Sequence, residues 1–183
     1  ACIDEAKKLK MEAWLYDEDR WPSGAAAGFL TKNVKYRRQF LVWEEIADLG
    51  QFKWSADVVA AFLVEVDDDR ARHVRRIPRG KKPVKRSKDD IVLSFRRDRA
   101  EPTSWFNDQA YPDTLNPEAI REFIRITHEE YRKHNAGEFG RTVPGIFTDE
   151  PCHSALWVRN ALHELAWTDA FPKAFKRRYG YDL

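Results

Sequence analysis

Apolar and polar residues change their spacing several times along the chain, and each change predicts an element. Residues 1–9 (ACIDEAKKL) are rich in Ala, Glu and Lys, good helix formers, and predict a helix. Residues 10–16 (KMEAWLY) turn apolar and aromatic and stop at Asp17-Glu18-Asp19, which predicts a buried strand with a loop at its C-terminal end. Trp21-Pro22-Ser23-Gly24 then breaks regular structure. From Tyr36 the pattern becomes extended. Tyr36–Ile46, Val58–Asp67, Ala71–Ile77 and Asp90–Arg97 predict strands, and Pro78–Ser87 (PRGKKPVKRS) predicts an exposed hairpin loop. No helical stripe interrupts this region, so it reads as an antiparallel β insertion.

The last third returns to alternation. Thr103–Asp108 predicts a strand. Asn116 is placed to cap a helix with Pro117 at its first position, where a missing N–H costs little. Ile120, Phe123, Ile124, Thr127, His128 and Tyr131 recur at three- and four-residue spacing, one face of that helix, and Gly137 marks its stop. Val143–Thr148 predicts a buried strand ending in Asp149-Glu150-Pro151. Helices are expected near Trp157–Trp167 and Asp169–Tyr179, with Gly180 after the second. Strands alternating with helices indicate parallel βα units. The fold expected is therefore α/β, a partial (β/α)8 TIM-barrel catalytic segment with an antiparallel β insertion. Residues 1–30 and 101–183 would belong to the barrel and residues 31–100 to the insertion. A whole barrel takes about 250 residues. The 183 residues, starting at Ala1 within a helical stretch, are accordingly read as a segment of a larger enzyme whose other domains are its neighbours.

Composition narrows the function classes. A hydrophobic fraction of 43% with seven Trp suits a packed core rather than disorder. The net charge of +2 is too small to argue for nucleic acid, and none is expected as a partner. No apolar run of 18 residues occurs, so no membrane span is expected. Cys2 and Cys152 form neither a disulfide framework nor a zinc pattern. Walker, dinucleotide-binding, HExxH and nucleophile-elbow motifs are missing from the sequence.

Four constellations carry chemistry. In Gly145-Ile146-Phe147-Thr148-Asp149-Glu150-Pro151 an apolar strand delivers two adjacent carboxylates and is cut off by proline. Barrel chemistry sits at strand C-termini, and a partly dry carboxyl there can serve as the acid that glycoside cleavage needs. The plain reading of the same residues is a solvated loop. Asp17 and Glu18 beside Trp21 repeat the arrangement: carboxylates accept hydroxyl hydrogen bonds and an aromatic ring covers the apolar face of a sugar. The same carboxylates suit Ca2+, a hard cation, and a charged turn beside a core Trp is the plain reading. Asp113 and Asn116 are in reach of a substrate, with Asn116 also a helix cap; His153 follows the strand-end turn. His128, on an apolar helix face, reads as a core residue. The basic run from Arg70 to Lys88 reads as a solvated hairpin, with a polyanion-binding module as a third-ranked alternative, because aromatics are not interleaved with the charges.

Taken in order, these motifs resemble the bacterial α-L-rhamnosidase-like glycoside hydrolases of family 106 and their relatives. The resemblance lies in Leu15-Tyr16-Asp17-Glu18-Asp19-Arg20-Trp21-Pro22-Ser23-Gly24, in Asp113-Thr114-Leu115-Asn116-Pro117-Glu118-Ala119 followed by Thr127-His128-Glu129-Glu130-Tyr131, in the strand-end motif at 145–151, and in Tyr179-Gly180-Tyr181-Asp182-Leu183. It covers residues 1–33 and 105–183. It implies a (β/α)8 catalytic barrel in a multidomain enzyme and carboxylate catalysis on a glycosidic bond, with a bound Ca2+ in some members. Glu150 and Asp149 would be catalytic, and Asp17, Glu18, Trp21, Asp113, Asn116 and His153 would bind substrate. If the partner carboxylate resides on a later barrel strand, these residues lack it, and the isolated chain would then be inactive because incomplete. The alternative function is a non-catalytic carbohydrate-binding barrel fragment. A periplasmic or extracellular parent protein would suit a polysaccharide-degrading enzyme.

Overall fold

The structure, a computed structural model, describes residues 1–68, 70–153 and 163–183. The chain divides into two compact units. The first comprises Ala1–Arg38, Ala100–His153 and Thr168–Leu183; the second comprises Gln39–Arg99 and Ser154–Trp167.

The first unit holds the helices. α1 (Cys2–Leu9) ends where Lys10 turns left-handed. α2 (Pro117–Ile126) starts as its sequence requires: Asn116 Oδ1 accepts from the Glu118 N–H, and Pro117 occupies the first turn. The expected single helix is divided at Thr127, and α3 runs from His128 to Asn135. α4 (Phe171–Tyr179) is closed by Gly180 at φ 84°, the left-handed position that glycine adopts without a Cβ penalty. Two strands of two residues each, β1 (Leu15–Tyr16) and β6 (Ile146–Phe147), pair in parallel, Leu15 opposite Ile146 and Tyr16 opposite Phe147. Leu30, Ala26 and Phe123 form one small core; Ala25, Phe106 and Tyr111 form another.

The second unit is a five-stranded sheet in the order β4-β3-β5-β2-β7, antiparallel throughout. Its strands are β2 (Gln39–Ile46), β3 (Val58–Asp67), β4 (Arg70–Arg76), β5 (Asp90–Arg99) and β7 (Glu164–Trp167). β5 lies at the centre. Its Val92 is fully buried and packs with Phe52, Val58, Ala61, Leu63 and Ile77, which together form the core of the unit. At the sheet's edge β4 shows Arg70, Arg72 and Arg76 to solvent, and charges on an edge strand discourage pairing with other chains.

This architecture corrects the expected barrel. Parallel pairing between the two carboxylate-bearing segments is found, but it spans two residues on each side, and every long strand belongs to an antiparallel sheet. The chain is richer in β structure than a (β/α)8 segment and does not form one. Local causes are visible. Met11 and Trp14, taken as buried strand residues, are about 60% exposed, and Lys10 already leaves the extended region. Pro144 offers no N–H to a ladder, which delays β6 until Ile146. Two further expectations change. Thr103–Asp108 contains a 3-10 turn, Ser104–Phe106, in place of a strand. In the stretch read as helix near Trp157–Trp167, Glu164–Trp167 is extended and hydrogen-bonds along β2; residues 154–162 lie outside the described residues. Among the described residues no helix is long and apolar enough to cross a membrane.

Candidate functional site

The short parallel pair brings together side chains more than 130 positions apart. Asp17, one residue beyond β1, is buried. Its Oδ2 accepts from Thr148 Oγ1 at 2.8 Å, just beyond β6, and lies 3.1 Å from His128 Nε2 at the start of α3. Its Oδ1 is buried without a hydrogen-bond partner among the described residues. The Tyr16 hydroxyl stands between two carboxylates, 2.8 Å from Glu18 Oε2 and 3.1 Å from Asp149 Oδ2. One phenol within hydrogen-bonding distance of both puts those two oxygens within roughly 6 Å of each other. The hydrogen bond to Glu18, followed by burial and the bond to Asp149, raises the Tyr16 pKa above its ordinary value. Edge-on packing against Phe147, with ring centroids 5.2 Å apart, fixes the Tyr16 ring, and Tyr131 donates to its backbone carbonyl at 2.8 Å.

Asp149 is also held through its backbone. Its N–H donates to Ser23 Oγ and its carbonyl accepts from the Ser23 N–H, both at 2.9 Å. Ser23 is buried, and its carbonyl accepts from the Tyr111 hydroxyl at 2.8 Å. Burial raises the Tyr111 pKa. Glu150 follows in a left-handed conformation, φ 42°, and its exposed carboxylate has no hydrogen-bond or ion-pair partner among the described residues.

An open cleft of about 500 Å³ begins at this cluster. Asp17, Glu18 and Asp19 meet Tyr16, Phe29 and Tyr131 along its walls, and Glu130 and His134 of α3 add polar groups. The cleft therefore presents carboxylate acceptors beside exposed aromatic surface, a combination suited to a polyhydroxylated ring.

The remaining sequence candidates are placed as follows. Trp21 does not line this cleft; its carbonyl accepts from Trp105 Nε1 at 2.7 Å. Asp113 is buried, accepting from Thr168 Oγ1 at 2.8 Å and from the Leu115 N–H at 3.2 Å. Asn116 caps α2. His153 is exposed, with Nδ1 2.7 Å from Thr114 Oγ1, which donates to the Cys152 carbonyl at 2.6 Å. The structure thus brings Glu18 and Asp149 together at the Tyr16 hydroxyl and sets Asp17 against Thr148 and His128, while Asp113 is hydrogen-bonded within the fold and Asn116 caps α2.

Sequence reasoning missed Tyr16, Thr148, Tyr131 and the role of His128. Thr148 and Tyr16 each precede a singled-out carboxylate, which was the available signal. The pointer to His128 was its place in the 127–131 motif; its partner, 111 positions away, was not legible.

Among the described residues no group of three or more His, Cys, Asp or Glu is placed to hold a metal ion. The carboxylates proposed for Ca2+ face different partners: Asp17 faces Thr148, Glu18 faces Tyr16, and Asp19 accepts from the Ala27 N–H and from Asn107 Nδ2, both at 2.8 Å. As arranged, they do not make the shared oxygen cradle that Ca2+ requires. No protein-family model matches the chain, and neither the curated proteins nor the solved structures contain a match.

Proposed function

We propose that the chain hydrolyses a glycosidic bond by carboxylate acid/base catalysis, with α-L-rhamnosides as the first substrates to test. The observation that carries this reading is the Tyr16 hydroxyl joining Asp149 to Glu18, which ties the strand-end pair Asp149-Glu150 to a cleft of carboxylates and aromatics. In this reading the sugar lies in the cleft, with Glu18 as a hydroxyl acceptor, Tyr16 and Phe29 as apolar surface and the buried Asp17 fixing the wall beneath. Glu150, exposed at the turn and without another partner among the described residues, donates a proton to the leaving oxygen and then takes one back from the water that adds to the anomeric carbon. Asp149, oriented by Tyr16 and Ser23, carries the neighbouring negative charge that stabilises an oxocarbenium-like transition state.

One observation favours a second reading, a carbohydrate-binding module without catalysis. Glu150 is exposed, whereas a general acid is ordinarily held partly dry. Glu150→Gln separates the two. The acid role predicts a rate loss of about 10²–10⁴ on alkyl glycosides and a smaller loss on aryl glycosides, whose leaving groups need little protonation. Equal losses on both substrates would reassign Glu150 to base, nucleophile or binding. Glycan binding with no turnover by the unmodified chain, or by a longer protein that contains it, would establish the binding module instead.

A further inference from the structure

The second unit contains a pocket whose chemistry is opposite to that of the acidic cleft. β4 and the loop after it are rich in Arg and Lys, and part of that charge is used inside the unit. Arg72 faces Asp67 at 2.7 Å. Arg79 donates to the carbonyls of Val58 and Ser55 and lies over the Trp54 ring. Arg75 Nη2 reaches both oxygens of the buried Asp90 at 3.0 Å. Arg76, Lys82 and Arg86 have no acidic partner among the described residues, and all three line one pocket of about 160 Å³. Its apolar wall is Leu63, Ile77, Val84 and the two prolines Pro78 and Pro83.

The loop is held in place before any ligand arrives. Asp90 accepts from the Arg86 N–H at 2.7 Å and from the Ser87 N–H at 3.0 Å. Trp54 Nε1 donates to the Lys81 carbonyl at 2.8 Å, and the Lys81 N–H donates to the Pro78 carbonyl at 2.9 Å. Arg75 and the backbone N–H groups of Arg86 and Ser87 offset the charge of Asp90. Cations on a fixed loop lose less conformational entropy on binding than cations on a free one.

We propose that this pocket is a subsite for an acidic sugar residue, whose carboxylate or sulfate is held by Arg76, Lys82 and Arg86 while its ring lies against Ile77, Pro83 and Val84. The volume has room for about five water molecules, the scale of one substituted ring. The sugar part of this assignment rests on the carbohydrate reading above; the anion part rests on the three unpaired cations. A nucleic acid is the less favoured ligand, because no aromatic side chain lines the pocket to stack a base.

Calorimetry at 150 mM NaCl tests the proposal with a heparin-derived tetrasaccharide, an oligogalacturonate, maltotetraose, inorganic sulfate and a short oligothymidylate as probes. At least one acidic oligosaccharide is expected to bind, and to do so at least tenfold more tightly than sulfate, maltotetraose or the DNA. The triple variant Arg76→Ala, Lys82→Ala, Arg86→Ala is expected to weaken that binding at least tenfold. Lys88→Ala, an exposed cation outside the pocket, should change it less than twofold. Circular dichroism checks that the exposed-residue variants stay folded. The proposal is overturned if no acidic oligosaccharide binds, if DNA binds equally well, if sulfate alone accounts for the affinity, or if Lys88→Ala matches the triple variant. Loss of hydrolytic activity in the Glu150 variant leaves this binding result unchanged, so the two readings fail separately.

Discussion

Replacing Thr148 with valine keeps the side-chain shape and removes the hydroxyl that donates to Asp17 Oδ2 at 2.8 Å. The acceptor is a buried carboxylate whose other oxygen lacks a partner among the described residues, so after the change His128 Nε2, at 3.1 Å, is the side-chain partner that remains among them. A hydrogen bond to a charged group contributes about 1.5–3 kcal/mol. Thr148 is itself exposed, so water can partly replace its hydroxyl, and the expected loss is about 1–2 kcal/mol. For a urea m-value near 2 kcal/mol/M this lowers the unfolding midpoint by about 0.5–1 M with m unchanged. Aromatic fluorescence during urea unfolding would measure it. A double-mutant cycle with Asp17→Asn isolates the pair, with an expected coupling of about 1 kcal/mol. Additive single effects, or a Thr148→Val midpoint equal to that of the unmodified chain, would refute the claim that this bond holds β1 and β6 together.

Two further outcomes follow from particular contacts. Gly28 is buried at φ +78°, and a Cβ there would stand 2.7 Å from Gln109 Cγ and 3.3 Å from the Phe106 carbonyl oxygen. Gly28→Ala should cost about 2 kcal/mol and lower Tm by about 4–8 °C in a thermal melt; an unchanged Tm would show that the loop relaxes freely. The Arg86 N–H, with the Ser87 N–H and Arg75, holds the Asp90 carboxyl below its ordinary pKa. A lowered folded value adds stability above the unfolded pKa of about 3.9 and loses it as pH falls through the folded value. The stability gap between the unmodified chain and Asp90→Asn should therefore be full at pH 6–7, begin to narrow near about pH 4 and be lost as pH falls through the lowered folded value. A gap constant over that range in urea titrations would exclude the ionised Asp90 as its source.

Local signals in the sequence determined several elements of this protein. Short apolar runs placed β3 at Val58–Asp67 as expected from sequence, and Asp90 as the start of β5. Asn116-Pro117 and Gly180 set the start of α2 and the end of α4, because caps depend on residues within one turn. The strand-end position of Asp149 was legible too, since it needs only the apolar run before it. Tertiary structure decided the rest. The brevity of β1 and β6, the antiparallel order around β5, and the joining of β7 to β2 depend on partners distant in sequence. A local pattern fixes which residues can be extended, but not which strand satisfies their hydrogen bonds. The site shows the same division. Asp17 and Asp149 could each be marked from their neighbours, but Tyr16 meets Asp149 across 133 positions and Thr148 meets Asp17 across 131. Only the folded backbone brings those groups within hydrogen-bonding distance.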